Sequence, residues 1–326
     1  MENGFRIGTL QLADNLLLAP MAGVTNLPVR LIARRYGAAL CYTEMVSVNG
    51  LVRDGEKSFA LMKSVAEDRP LAVQLFGDDP EMLARGAELS ASYADLIDIN
   101  MGCPVRKVVG SGAGSALLQS PERIRGIVRA VRKATSLPFT IKIRSGWGSD
   151  STNFLLVGRI AQDEGVDAIT LHPRTRAQMF EGEADWRQIG ELKQALSIPV
   201  IGSGDLFSAR DVVAMLAQTG CDAAMVARGS MGNPWIFREA RSLLAGDPVA
   251  TVTLEERRLV ALEHLRMLVA DAGEPVAVRE MRKHLCWYAK GVAGAAHFRG
   301  EVNRIESMAA MESIINSFFG RTADEP

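Results

Sequence analysis

Eight short apolar runs punctuate the chain: Leu16–Ala19, Leu40–Thr43, Leu71–Leu75, Leu96–Ile99, Phe139–Ile143, Ala168–Leu171, Pro199–Ile201 and Ala223–Ala227. Helix-like segments separate them. Near-continuous apolar strands alternating with helices signal parallel βαβ units, whose strands are covered on both faces. Eight such units predict an α/β fold, a (β/α)8 TIM barrel. The competing arrangement is a doubly wound open sheet, which usually carries GxGxxG after its first strand. Here the first run leads instead into Ala19-Pro20-Met21-Ala22-Gly23. Helix punctuation fits the alternation. Asp79-Pro80 and Ser120-Pro121 each place a capping residue before a proline at the first helical position. Ser208 with Asp211 resembles a capping box. Gly37 and Gly165 stand where helices must stop. The segment Phe5–Leu12 reads as a small hairpin closing the barrel bottom.

The pattern changes near Ala245-Gly246-Asp247-Pro248, beyond which the chain reads helical to about Phe319. Leu254–Ala270 is amphipathic, with Leu259, Leu262, Leu265 and Leu268 as its apolar stripe. The expected organisation is a barrel over residues 1–245, a linker over 246–253 and a C-terminal helical domain over 254–326, its tail Arg321–Pro326 frayed.

Composition narrows the function classes. Of 326 residues, 48% are hydrophobic and 23% charged, as in an ordinary folded protein. Lys plus Arg is 37 against 38 Asp plus Glu, a net charge of -1 that excludes a globally basic nucleic-acid binder. A local basic patch stays open. Cys41, Cys103, Cys221 and Cys286 are scattered, so neither a CxxC site nor a secreted disulfide framework is indicated. The start Met1-Glu2-Asn3-Gly4-Phe5-Arg6 lacks signal-peptide character. No apolar stretch of about 18 residues suggests a membrane span. Four histidines without paired spacing argue against a metal site. The expectation is a cytoplasmic monomer with no metal and no membrane contact.

In a barrel the loops after the strands form the active face, so the residues just past each run carry the chemistry. They are Pro20, Met21 and Ala22 after the first run; Gln74 within the third; Asn100 and Cys103 after the fourth; Lys142 and Arg144 at the end of the fifth. His172, Arg174 and Arg176 follow the sixth, Ser203, Gly204 and Asp205 the seventh, and Ala227 and Arg228 the eighth. The glycine-rich seventh and eighth loops suit a phosphate, although tight turns explain the glycines equally well. Lys142 needs an anionic partner, either a ligand such as the N1–C2 edge of a reduced flavin or a neighbouring carboxylate. Cys103 is a candidate proton donor, since an unperturbed thiol with pKa about 8.5 is mostly protonated at neutral pH. A nucleophilic role would require a lowered pKa and a base. In the helical segment, Arg279, Arg282 and Lys283 share a face near Trp287, Tyr288, His284 and His297. Basic groups interleaved with aromatics suit structured RNA; a solvated face over a small aromatic core is the simpler alternative.

Several segments together resemble the flavin-dependent tRNA dihydrouridine synthases, particularly the bacterial B subgroup. They are Ala19-Pro20-Met21-Ala22-Gly23-Val24-Thr25, Asp98-Ile99-Asn100-Met101-Gly102-Cys103-Pro104, Gly114-Ser115-Ala116-Leu117-Leu118, His172-Pro173-Arg174-Thr175-Arg176, Gly182-Glu183-Ala184-Asp185-Trp186 and Arg228-Gly229-Ser230-Met231-Gly232-Asn233-Pro234-Trp235. The resemblance implies FMN at the barrel mouth, re-reduced by NADPH, and tRNA as substrate. Hydride would go to C6 of an extruded uracil and the Cys103 proton to C5. Pro20, Met21, Ala22, Gln74, Lys142 and His172 would contact the flavin ring. Ser203, Gly204, Asp205, Ala227 and Arg228 would surround its phosphate. Asn100, Arg176, Arg279, Arg282 and Lys283 would contact substrate. Departures are Pro173 after His172, Ser203 in the seventh loop and Ala227 before Arg228, where the family favours glycine, asparagine and glycine; they concern the phosphate contacts. The alternatives are a flavin barrel acting on a small free pyrimidine and a non-catalytic RNA-binding protein.

Overall fold

In the computed structural model, which describes residues 4–320, the eight runs form a closed parallel barrel. An antiparallel hairpin comes first, β1 (Arg6–Ile7) and β2 (Leu10–Gln11). The barrel strands are β3 (Leu16–Leu18), β4 (Leu40–Tyr42), β6 (Leu71–Phe76), β7 (Leu96–Met101), β8 (Phe139–Arg144), β9 (Ala168–His172), β10 (Val200–Ser203) and β11 (Ala223–Val226), with a short β5 (Val46–Ser47) continuing the line of β4. Pairing of β11 with β3, and of β4 with β6, closes the ring. The run after Leu40 is therefore broken: Tyr42 and Val46 pair with Ala72 and Leu75 of the same neighbour.

Burial explains the near-absence of polar alternation. β7 is buried along its whole length because the barrel interior covers one face and the helices the other. The lower interior is filled by Leu17, Tyr42, Ala72, Leu96, Ala168, Ile201 and Met225, and the hairpin segment seals it with Phe5, Ile7 and Leu12. Each of the larger aliphatic and Phe side chains contributes about 1.5–3 kcal/mol by leaving water.

Local punctuation mostly behaves as expected. Asp79 accepts from Met82 N at 2.9 Å, and Ser208 and Asp211 form the reciprocal capping box. Gly37 and Gly165 adopt φ of 109° and 90°. Ser120 differs: its side chain makes no cap, because the residue also ends the preceding 3-10 turn, its N–H bonded to Leu117 O.

The last barrel helix, Ile236–Ala245, ends at Gly246 (φ 78°), and the next begins at Leu254 after the Thr253 cap. The segment 246–251 between them is exposed. Four helices follow: Leu254–Ala272, Glu274–Tyr288, Ala295–Val302 and Met308–Phe319. Their core includes Leu262, Leu265, Met281, Leu285, Phe298, Ile315 and Phe318, together with Ile32 and Trp235 from the barrel side. Leu259 was expected in the stripe but is 53% exposed. A strict three-residue repeat drifts about 60° per step around a helix of 3.6 residues per turn, so four leucines cannot share one face. The expected fraying of Arg321–Pro326 lies outside the described residues. Among the described residues, no helix is long and apolar enough to cross a membrane.

Candidate active site

The strand ends converge on one cavity of about 290 Å³ at the C-terminal mouth of the barrel. Its wall includes Pro20, Met21, Ala22, Asn100, Cys103, Lys142, His172, Ser203, Gly204, Asp205, Ala227 and Arg228. Thus residues singled out after six of the eight strands share one space. Gln74 does not line it. That side chain is fully buried directly behind Asn100, its carboxamide engaged with Asn100 and Asp98.

The Cys103 loop is held from both sides. Its N–H donates to Asn100 Oδ1 at 2.8 Å, and its carbonyl accepts from Ser115 Oγ at 2.6 Å and Ser115 N at 3.1 Å. Gly114 (φ 60°) permits this clamp, since a Cβ there would stand 2.7 Å from Cys103 O. The half-buried thiol is pushed up by burial, against a lowering by the Val105 backbone and by the charges of Arg144 and Lys142. It is therefore a protonated thiol at neutral pH, suited to giving a proton rather than attacking as a thiolate.

Lys142 and Arg144 project from β8 at alternate positions, as strand geometry requires. Arg144 is tied to protein carbonyls, donating to Gly102 O (3.1 Å), Thr175 O (2.9 Å) and Met179 O (2.6 Å). Lys142 has no hydrogen bond or ion pair among the described residues, so the neighbouring-carboxylate alternative does not hold. Burial, then the Arg144 charge, lowers it to about 8. An unpaired cation in a cavity wall fits an anionic ligand edge.

On the far wall, Arg174 grips Asp205 with two bonds of 2.9 and 2.7 Å, and Arg228 reaches the same carboxylate at 3.3 Å. Burial pushes Asp205 up, but the hydrogen bonds from Arg174 and the Ala184 N–H, with the charges of Arg174 and Arg228, hold it below the usual carboxylate range. His172 is pushed well below its ordinary value by burial and then by Lys142, Arg144, Arg174 and Arg228, so it is neutral. Gly204 (φ 119°) lies flat against His172, where a Cβ would come within 2.9 Å of the ring. Glycine here allows the close packing on His172 and Ala184 at a positive φ. A larger, open groove shares Phe180, Asp205, Phe207 and Arg228 with the cavity. The Arg228 guanidinium stands 4.7 Å over the Phe180 ring and 5.1 Å over Phe207. Phe180, Phe207 and Val105 are each about half exposed at the rim.

Other expected contacts lie apart. Arg176 does not line the cavity; its guanidinium packs 4.7 Å over Trp147. Arg279, Arg282 and Lys283 occupy the helix Glu274–Tyr288. Arg282 Nε donates to Ile305 O at 3.0 Å and Lys283 pairs with Glu280, whereas Arg279 is exposed with no ion pair among the described residues. Of the nearby aromatics, His284 and Tyr288 are buried against His264, so they serve the helical core. Sequence reasoning gave no role to Arg144 or the rim groups Phe180, Phe207 and Val105. Arg144 carried a signal, since with Lys142 it alternates with apolar residues at the strand end. The rim groups carried none, since exposure is a tertiary property.

The model of the dihydrouridine synthase (Dus) family matches residues 17–321. This chain belongs to the dihydrouridine synthase family. It is 42% identical over 317 residues to the tRNA-dihydrouridine synthase B of Pasteurella multocida, covering 95% of this chain and 96% of the relative. It is 41% identical to that of Pseudomonas aeruginosa, covering 96% and 95%. Among solved structures, a variant of NCR from Zymomonas mobilis matches with a TM-score of 0.54 at 13% identity, over 78% of this chain and 94% of the other. Histamine dehydrogenase from Rhizobium sp. 4-9 also gives 0.54, at 15% identity, over 82% and 50%. At those identities the likeness concerns the barrel fold. Family membership makes the chain an oxidoreductase.

Proposed function

We propose that this dihydrouridine synthase reduces the C5=C6 bond of uridines in tRNA, with FMN in the cavity and NADPH as reductant. The observation that carries the reading is the sharing of one cavity by the Cys103 thiol and the unpaired Lys142 ammonium. The site chemistry fits the flavin: a cation with no hydrogen bond or ion pair among the described residues, and a polar far end at Ser203, Asp205 and Arg228. When bound, FMN supplies the hydride that adds to C6 of the uracil.

The chain's own residues do the rest. Lys142 offers its positive charge to the N1–C2 edge of the flavin, with Gln74 behind Asn100 at the same side, and neutral His172 lies alongside. Pro20, Met21 and Ala22 line the opposite wall. Ser203, Gly204, Asp205, Ala227 and Arg228 surround the phosphate. Burial keeps the Cys103 thiol protonated, and it transfers that proton as C5 becomes basic. Asn100 fixes the Cys103 loop and meets the substrate. The target base must leave its stack to reach the cavity. Arg176, Arg279, Arg282 and Lys283 are assigned to RNA, with Arg279 the freest of them.

This reading includes the division into a catalytic barrel over 1–245, a linker over 246–253 and an RNA-binding helical domain over 254–326, acting as a cytoplasmic monomer without metal. The experiment is direct: purified protein reconstituted with FMN and NADPH is incubated with unmodified tRNA or with free uracil and uridine. Dihydrouridine in tRNA alone is expected. Turnover of the free pyrimidine without action on tRNA overturns the reading.

A further inference from the structure

A buried chain of hydrogen bonds runs from the barrel interior to the Cys103 loop. Thr140 Oγ1 donates to Asp98 Oδ1 at 2.6 Å, and Gln74 Nε2 donates to Asp98 Oδ2 at 2.6 Å. Asn100 Nδ2 donates to Gln74 Oε1 at 2.8 Å, while Asn100 Oδ1 accepts from Gly102 N at 3.2 Å and Cys103 N at 2.8 Å. Asp98, Gln74 and Thr140 are fully buried and Asn100 nearly so.

The direction of every bond is dictated by its neighbour. Backbone N–H groups donate and never accept, so Asn100 must turn its oxygen to residues 102 and 103. Its amide nitrogen then faces Gln74, which must answer with oxygen. Gln74 is left with its nitrogen pointing inward, where the terminal group must accept. We infer that Asp98 is a positioning residue for Cys103: its carboxyl is the acceptor that fixes the polarity of the Gln74–Asn100 amide pair and so holds the Cys103 N–H in place. Without that acceptor, Gln74 satisfies its nitrogen best by turning over. Asn100 then meets two donors, and the loop loses its anchor.

Uptake of a proton by Asp98 need not break the chain. Burial raises this carboxyl to about 7, against the lowering by Thr140, Gln74 and Lys142. A proton on Oδ1 is accommodated by rotation of the Thr140 hydroxyl, which can accept as well as donate. Oδ2 then remains an acceptor for Gln74. What the chain requires is an acceptor facing Gln74.

This requirement separates two near-isosteric variants. Asp98→Asn retains an oxygen for Gln74 and turns its NH₂ to Thr140; Asp98→Leu retains the bulk and no acceptor. The first readout is the rate of Cys103 alkylation by iodoacetamide in FMN-free protein, followed by mass spectrometry. Asp98→Leu is expected to raise it several-fold, with Asp98→Asn close to the native rate. The second readout depends on the reading of Cys103 as proton donor. In FMN-loaded enzyme, Asp98→Leu is expected to lower kcat by about 100-fold, the cost of a misplaced reacting group, with KM for tRNA unchanged and Asp98→Asn restoring most of the rate. Equal behaviour of the Leu and Asn variants in alkylation overturns the inference. Should Asp98→Leu not fold, Gln74→Leu interrupts the same chain midway, and a native alkylation rate in that variant overturns it as well. A native enzyme that makes no dihydrouridine contradicts the functional reading and leaves the alkylation result standing on its own.

Discussion

The barrel mouth and the C-terminal helices both carry basic side chains, but they use them differently. At the mouth, Lys142 is kept in a cavity wall with no hydrogen bond or ion pair among the described residues, and Arg174 and Arg228 converge on a single carboxylate, Asp205. In the helix Glu274–Tyr288, Arg282 is spent on the Ile305 carbonyl and Lys283 on Glu280, which leaves Arg279 alone pointing away. The lesson is that a charge marks a ligand site when the fold withholds its natural partner. Clustering along a helix does not establish that condition.

The two regions meet at Trp235, which is fully buried among the helices although it follows the last barrel loop. Its ring contacts Tyr36 and Tyr288 edge-on at 5.8 and 6.2 Å. If the regions are energetically one unit, Trp235→Ala costs about 3–5 kcal/mol and lowers a single melting transition. Two separate transitions in denaturant-monitored fluorescence and circular dichroism would show that the regions unfold independently.

Lys142→Met sharpens the contrast from the mouth side. It removes a preorganised charge from a dry wall, and NADPH-driven flavin reduction is expected to slow by about 100-fold with little change in melting temperature. A rate within about twofold of native would mean that the cavity does not use this cation.

The helix side is tested by salt. Arg279→Ala is expected to reduce the slope of log affinity for tRNA against log salt by about 0.7–0.9, one phosphate contact. Arg282→Ala is expected to act mainly by destabilising the protein by about 1–3 kcal/mol, since it leaves the Ile305 carbonyl without its charged donor. Identical salt slopes for native protein and the Arg279 variant would remove that residue from the interface.

Much of the barrel was legible because parallel strands buried on both faces write themselves as apolar runs, and the chemistry sits at a fixed place relative to each run. That logic led to Cys103, Lys142, His172 and Asp205 by position alone. It could not foresee that Gln74 lies behind Asn100, because one strand contributes side chains both to the mouth and to the layer beneath. It missed the rim groups Phe180 and Phe207, whose meaning comes from exposure beside Arg228. The Leu259 error arose from reading a three-residue repeat as a helical stripe. Arg176 and Arg282 were obscured for a further reason: a long flexible side chain reaches whatever partner tertiary structure offers.

On the proposed reading, Cys103 delivers a proton to C5 of a uracil whose C6 receives hydride from a flavin in the same cavity. The measurement that tests it most directly is a single turnover of pre-reduced, FMN-loaded Cys103→Ala protein with unmodified tRNA, with dihydrouridine quantified by mass spectrometry. The account predicts native flavin content and a rate lower by about 10³, within the range for loss of a general acid. A variant that retains flavin and reduces tRNA at the native rate would contradict it.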